Sequence, residues 1–293
     1  LGNCINGNKK EKPLKLRIAF TIIYNGIHHL NHNGFAEFMA NNFDNWIVIE
    51  GLANAHGSTS WCKTLPIPSR STDGTHQFFE GFTKQHSNVI YYSPGTPWKS
   101  KDEMVNEAVK VVRLITDKCY LWQVDCDEQW TSEQLEYAEI QLDKQPNKAG
   151  AFQFTHYLCK TDDGHQLVGV GQWGSGFNTR LFKWQGEKFI SHEPPVIQNQ
   201  GSVAQLSPKY KHWSYYFWQD IQMKGMYYGG HEYIPTGWSF LKKGGHKYPL
   251  PLSALFGKNC KKFNPSLSFI EVLKTEIPCL TTEDVVQGQS HVQ

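Results

Sequence analysis

Apolar positions recur along this chain in two rhythms. Leu14 to Ile23 carries Leu16, Ile18, Phe20 and Ile22 and reads as a buried strand. Trp46 to Glu50 and Asn88 to Tyr92 repeat the pattern, and Cys119 to Val124 is a fourth apolar run. Helical spacing falls between them, over Phe35 to Asn42, over Gln77 to Gln85, and from Ser100, where Met104, Ala108, Val112 and Ile115 share one stripe. Ser100 with Glu103, and Thr131 with Gln134, have capping-box spacing, and the second pair opens a helix to about Asp143. This β-α-β-α-β order predicts an α/β fold, a central mostly parallel sheet with helices on both faces.

After about residue 146 the rhythm changes. Ala149 to Leu158 alternates in part, Asp162-Asp163-Gly164 is a hairpin turn signal, and Leu167 to Val170 reads as the partner strand. Aromatic segments follow: Gln172-Trp173-Gly174, Arg180-Leu181-Phe182-Lys183-Trp184, and His212 to Trp218, which leads into a helix to about Met226. The stretch after Tyr248 carries little periodicity.

Composition narrows the function. With 293 residues, 19% charged, the chain is no disordered solvating protein, and a net charge of +2 gives no electrostatic reason to expect a nucleic acid partner. A 14% aromatic share suits a platform for sugars. The seven cysteines are odd in number and form no CxxC pair, which reads as reduced thiols and a cytoplasmic protein. No apolar run reaches the length of an integral membrane segment. Signatures of dinucleotide-binding, P-loop and nucleophile-elbow enzymes are missing. His28-His29-x-x-His32 has zinc-ligand residue types, but with no cysteine partner and no HExxH glutamate it is set aside.

The chemistry concentrates where the fourth strand stops, in Asp125-Cys126-Asp127-Glu128. Acids at the end of a buried strand are costly without a cation. Residues two apart in extended chain point the same way, so Asp125 and Asp127 can share one site. Mg²⁺ and Mn²⁺ prefer such oxygen ligands and bridge them to phosphate. Open α/β sheets bind ligands at this edge, where the first two strands also end, in Tyr24-Asn25 and Glu50-Gly51.

Four segments, spanning roughly residues 15 to 225, resemble GT-A glycosyltransferases of the family 2 type, including bacterial and viral members. They are Arg17 to Asn25; Trp46 to Gly51 with Ser71-Thr72-Asp73-Gly74-Thr75; Tyr120 to Trp130; and Arg180-Leu181-Phe182 with His192-Glu193 and His212 to Tyr215. In this chain about twenty residues separate the acidic strand end from the S-T-D-G-T turn, which the family often has almost contiguous. The resemblance implies a GT-A (Rossmann-like) fold with a smaller aromatic-rich acceptor side. It implies transfer of a sugar from a nucleoside-diphosphate donor, UDP-sugar favoured, to a glycan or saccharide hydroxyl, with inversion. Asp127 and Asp125 then hold Mn²⁺ or Mg²⁺, with His212 or His192 as a further ligand. Tyr24, Asn25, Glu50, Asp73, Asn106 and Asp125 contact the donor nucleotide, and Glu193, stiffened by Pro194-Pro195, is the general base. Trp173, Arg180, Trp184 and Trp213 bind the acceptor, with Trp218 a further aromatic; Trp173 is favoured by its flanking Gly171, Gly174 and Gly176. The implied organisation is a flexible arm over 1–12, a nucleotide-sugar half over 13–145, an acceptor half over 146–245 and a packed tail over 246–293. The alternatives are a glycoside hydrolase working with Asp127 and Glu193, and an inactive carbohydrate-binding module.

Overall fold

A computed structural model describes residues 16–173, 176–257 and 267–274. The arm over 1–12, Cys4, Cys260, Cys279, Gly174 and the last nineteen positions lie outside the described residues.

Strand β1 (Arg17–Ile23) runs into a single helical turn, α1 (Ile27–Leu30), and then α2 (Phe35–Asn42). Next come β2 (Asn45–Glu50), α3 (Thr75–Phe82), β3 (Val89–Tyr92), α4 (Lys101–Ile115) and β4 (Cys119–Gln123). The four strands are parallel in the order β3-β2-β1-β4. Their near-continuous apolar runs suit strands covered on both faces. Ala19, Trp46, Val48 and Trp122 point into one core, with Phe35 and Met39 of α2 and Phe79 of α3. Ile18, Phe20, Ile47, Ile49 and Leu121 point into the other, against Met104, Val105, Ala108, Val109 and Val112 of α4. The helical stripe read from sequence is therefore the buried face of α4.

After β4 come β5 (Glu128–Gln129), α5 (Ser132–Asp143), β6 (Ala149–Lys160), β7 (Gln166–Gly171) and β8 (Phe177–Trp184). The small pair β9 (Phe189–Ser191) and β10 (Val196–Ile197) precedes the long strand β11 (Val203–Tyr215). On this flank the sheet turns mostly antiparallel. β8 lies between β4 and β6, antiparallel to both, while β11 runs parallel to β6 and pairs β5 at its far end. Helices α6 (Trp218–Tyr227), α7 (Ile234–Lys242) and α8 (Ser253–Phe256) enclose a third core around Leu158, Leu167, Ile221, Trp238 and Leu255. The described part of the tail supplies β12 (Leu250–Pro251) and β13 (Ser268–Val272), which extend the sheet beyond β7. Among the described residues no helix is long and apolar enough to cross a membrane.

The α/β expectation is met, and most element positions agree within a few residues. Two differences have local causes. Helix α3 begins at Thr75 because Asp73 Oδ1 accepts from Thr75 N (3.0 Å) and Thr75 Oγ1 (2.7 Å), which starts the helix before its apolar stripe. Strand β11 begins at Val203, well before the aromatic segment. Ser207-Pro208 falls in a register shift between Leu206 and Lys209 that breaks the alternation, and proline is tolerated in strands at such bulges. Thr131 and Gln134 form the full capping box, whereas Ser100 only accepts from Glu103 N (3.1 Å) and Glu103 turns instead to Lys99 N (2.6 Å).

Candidate active site

Strand β4 delivers the acidic run to the carboxyl edge of the parallel strands, and the antiparallel flank meets it there. Arg180 of β8 donates through Nη2 to Asp125 Oδ2 (2.6 Å) and through Nε to Glu128 Oε1 (2.7 Å). The Glu128 side chain is 0% exposed, and Trp130 Nε1 donates to its other oxygen at 3.1 Å. Burial and the neighbouring aspartates push the Glu128 carboxyl up to about 7, against the pull of Arg180, which is itself buried and keeps its charge. Arg180 was expected to bind the acceptor. It is instead enclosed and fixes the orientation of Asp125. Glu128 was not singled out in the sequence, although it is the third acid of the run.

Asp127 faces the other way, toward β11. Its carboxylate lies 3.3 Å from His212 Nε2, and its carbonyl accepts from Trp213 N at 2.7 Å. Burial opposes its ionisation, but His212, Lys224 and His29 hold the carboxyl far below the usual range. His212, expected as a further metal ligand, thus stands beside Asp127. His192 is not part of it: it is buried at Gln123, its Nδ1 is 3.4 Å from Gln123 Nε2, and burial with the nearby Lys101 drives its pKa down to about 3.

The loops after β1 and β2 are knitted to each other. Asn25, at φ 52°, accepts from Thr72 N through Oδ1 (2.8 Å) and donates its own N–H to Ser71 Oγ (2.8 Å). Glu50 is buried and accepts from Ser71 N at 2.6 Å and from Tyr91 OH at 3.3 Å. Asp73, just ahead of Gly74 at the N-cap of α3, accepts from Thr75 N and also from Ile27 N at 3.0 Å, and Tyr24 OH donates to Pro68 O at 2.7 Å. These residues were expected to read the donor nucleotide. Within the chain Glu50 serves Ser71 N and Tyr91 OH, and Asp73 serves Thr75 N, Thr75 Oγ1 and Ile27 N, so both carboxylates hold these loops together. Asn106 is likewise engaged within the chain: its amide bridges Asp102 O (2.8 Å) with both Phe189 O (3.0 Å) and Phe189 N (3.0 Å), pinning β9 to α4.

Glu193 stands exposed on the loop that follows β9. Asp102, unmarked in the sequence, positions that loop: it accepts from Ser58 N (2.8 Å), Ser58 Oγ and His192 N (2.8 Å), while Ser58 Oγ accepts from Glu193 N (3.3 Å). These hydrogen bonds outweigh burial and lower the Asp102 carboxyl. Glu193 acts electrostatically on Tyr228, whose ring belongs to a basic and aromatic wall. Lys101 sits over the rings of Tyr227 and Tyr228 at 5.3 and 5.7 Å, and Lys224 over Tyr215 and Tyr228 at 5.4 and 5.7 Å. Lys224 keeps its charge despite burial through Tyr228, Asp220 and Asp127.

The tryptophans assigned to the acceptor are mostly in cores. Trp184 is 0% exposed beneath α4, with Nε1 donating to Glu187 O at 2.7 Å, so neither face can meet a sugar. Trp173 is buried against His156 (centroids 4.4 Å apart) and Phe256, and Trp213 against Tyr157 and His32. Exposed aromatic surface lies instead at Trp61, 46% exposed, whose ring is tilted 31° against Tyr228 at 5.0 Å. Trp61 lies in the segment of weak periodicity after β2, and its pairing to Tyr228 comes from a long-range bridge, Cys62 to Tyr228.

No protein-family profile matches the chain, and no curated protein matches it. Among solved structures, it is similar to S. aureus TarS 1-349 (TM-score 0.38, 15% identity, 71% of this chain and 64% of that chain). It is similar to the same fragment in complex with UDP-GlcNAc (TM-score 0.40, 14% identity, 71% and 65%). It is also similar to a 4-diphosphocytidyl-2C-methyl-D-erythritol synthase (TM-score 0.32, 13% identity, 58% and 74%). The chain spans about 65% of the length of the TarS fragments. Likeness at this level says nothing about the chemistry of this chain.

Proposed function

We propose that this chain is a metal-dependent glycosyltransferase of GT-A type that moves a sugar from a nucleoside-diphosphate donor to a hydroxyl of a saccharide. One observation carries the reading: Asp125 and Asp127 stand at the carboxyl end of a central parallel strand, Asp125 oriented by buried Arg180 and Asp127 set against His212. Asp127 and His212 would hold Mg²⁺ or Mn²⁺, with Asp125 beside them. A set of one or two protein ligands fits an ion that takes its remaining ligands from water and substrate phosphates. Such an ion supplies charge neutralisation to the departing diphosphate.

The residues of the chain do the rest. Lys101 and Lys224, held over the shared Tyr228 ring, offer positive charge beside the aspartates to a diphosphate. Glu193 takes the proton of the acceptor hydroxyl, on a loop fixed by Asp102 and Ser58. Trp61 and Tyr228 offer the acceptor an aromatic face. A glycoside hydrolase would instead need a carboxyl that keeps its proton and reaches the glycosidic oxygen. Glu128, the carboxyl pushed up to about 7, is sealed under Arg180 and Trp130.

The test is a thermal-shift panel of UDP, GDP, dTDP and CDP with Mn²⁺, Mg²⁺ or EDTA, on the parent and on Asp127→Ala. Ligand at a hundred times its dissociation constant adds about 2.7 kcal/mol of stability. One nucleotide is expected to stabilise the parent only with metal and to leave Asp127→Ala unmoved. Failure of every nucleotide at every metal overturns the reading.

A further inference from the structure

The histidine motif after β1, set aside on sequence grounds, acquires in the fold the partner it lacked. His28 and His29 lie on α1, and Asp220 lies in the first turn of α6, more than 190 positions away. Asp220 Oδ1 is 3.0 Å from His28 Nε2, and Asp220 Oδ2 is 2.7 Å from His29 Nε2. One ligand atom from each of the three side chains falls within 4.8 Å of the other two. We propose that His28, His29 and Asp220 form a binding site for a zinc-like divalent cation, separate from the Asp127–His212 pair.

Three features favour an ion over an ordinary ion pair. The first is ligand chemistry: two imidazoles and one carboxylate are a set that suits Zn²⁺, Co²⁺ or Ni²⁺, whereas Mg²⁺ and Ca²⁺ prefer oxygen. The second is spacing. Donor atoms about 2.0–2.2 Å from a tetrahedral ion lie roughly 3.3 Å from one another, so small side-chain movements close this set around one. The third is enclosure. The side chains of His28, His29 and Asp220 are 10%, 4% and 17% exposed, and the Phe217 ring stands edge-on to both imidazoles at 4.9 and 5.1 Å. His29 also lines a cavity of about 50 Å³ with His32, Cys126 and Trp213, large enough for a water molecule. A water there can take the Nδ1–H of His29, the outer contact that a metal-bound imidazole makes.

The position gives the ion a role. Helix α1 follows Asn25 and donates Ile27 N to the Asp73 carboxylate, so it is tied to the loops at the ends of β1 and β2. Helix α6 carries Lys224 and ends in Tyr227. A cation shared by α1 and α6 ties the parallel-strand edge to the basic and aromatic wall opposite. This role does not depend on the proposed transferase activity.

The experiment uses Zn²⁺ and, as its spectroscopic probe, Co²⁺, on metal-stripped full chain. Asp127→Ala serves as the background that removes the other pair, with Asp220→Asn and His28→Gln/His29→Gln built into it. Asp127→Ala is expected to bind one equivalent of Zn²⁺, to show the visible Co²⁺ absorption of a four-coordinate nitrogen and oxygen site, and to melt higher with Zn²⁺. Asp220→Asn and the double histidine variant are expected to lose at least tenfold in affinity while keeping the parent's circular dichroism. Where a variant fails to fold, the Zn²⁺ stoichiometry and melting shift of Asp127→Ala decide alone. Absence of bound Zn²⁺ in Asp127→Ala, or binding unchanged by the substitutions, reduces the cluster to a histidine–aspartate hydrogen-bond pair and overturns the proposal.

Discussion

The parallel edge and the antiparallel flank use the same residue types for different ends. On the parallel edge, at the tips of β1 and β2, polar side chains answer nearby backbone: Glu50 holds Ser71 N, Asp73 starts α3, and Asn25 holds Thr72 N. Across the divide, where β4 meets β8 and β11, side chains answer one another: Arg180 serves Asp125 and Glu128, and His212 stands against Asp127. An acid in a tight turn usually has a donor N–H within reach and is spent on it. Glu50, at the end of buried β2, also meets a backbone donor in Ser71 N, whereas Asp125 and Glu128 beyond β4 meet the Arg180 guanidinium, and a buried acid is costly without such a partner. Candidate chemistry therefore collects on the second kind of position.

The sharpest way to break this contrast is Arg180→Met. It leaves Asp125 and the sealed Glu128 without their shared cation, and loss of one partner of a buried pair costs about 3–5 kcal/mol. Urea denaturation of Arg180→Met is expected to show a loss in that range, partly recovered by adding Glu128→Gln. Glu50→Gln, which keeps an acceptor for Ser71 N, is expected to cost about 1 kcal/mol. Equal losses from the two changes would erase the distinction between the regions.

Glu193→Gln tests whether the exposed carboxylate does chemistry. Removal of a general base lowers turnover about 10²–10⁴-fold. The measurement is sugar transfer, or slow donor hydrolysis, beside nucleotide affinity; turnover is expected to fall by that factor with affinity unchanged.

Asp102→Ala sharpens the comparison by removing an acid that does both jobs, holding backbone N–H groups on two loops while positioning Glu193. A loss of about 1–3 kcal/mol is expected from the unsatisfied donors. The pH dependence has a definite sign. The folded-state carboxyl lies below its unfolded value, so its contribution is present above about 3.8 and disappears as pH falls through the lower folded value. The difference in stability between parent and Asp102→Ala is therefore expected to shrink in acid denaturation below that pH.

The smallest effect is expected from Trp61→Ala. Stacking on an aromatic face contributes about 0.5–1.5 kcal/mol, so the KM for a saccharide acceptor is expected to rise roughly twofold to twelvefold. Donor hydrolysis should stay constant. Trp184→Phe, in the core under α4, should lower the melting temperature and leave acceptor KM unchanged; the reverse pattern would return acceptor binding to Trp184.

Local sequence pattern determined the α/β class, the α4 stripe, the Thr131 capping box and the prominence of Asp125-Cys126-Asp127. Each depends on residues within a turn or a strand of one another, where period and spacing are the physics. Tertiary structure decided what those residues meet. Arg180 is 55 positions from Asp125, and Asp220 is 191 from His29. Such pairings are set by strand order and helix packing, which leave no local period to read. The same holds for the tryptophans: whether Trp184 or Trp61 shows its face to solvent depends on α4 and on the Cys62–Tyr228 bridge, not on the residue or its neighbours in sequence.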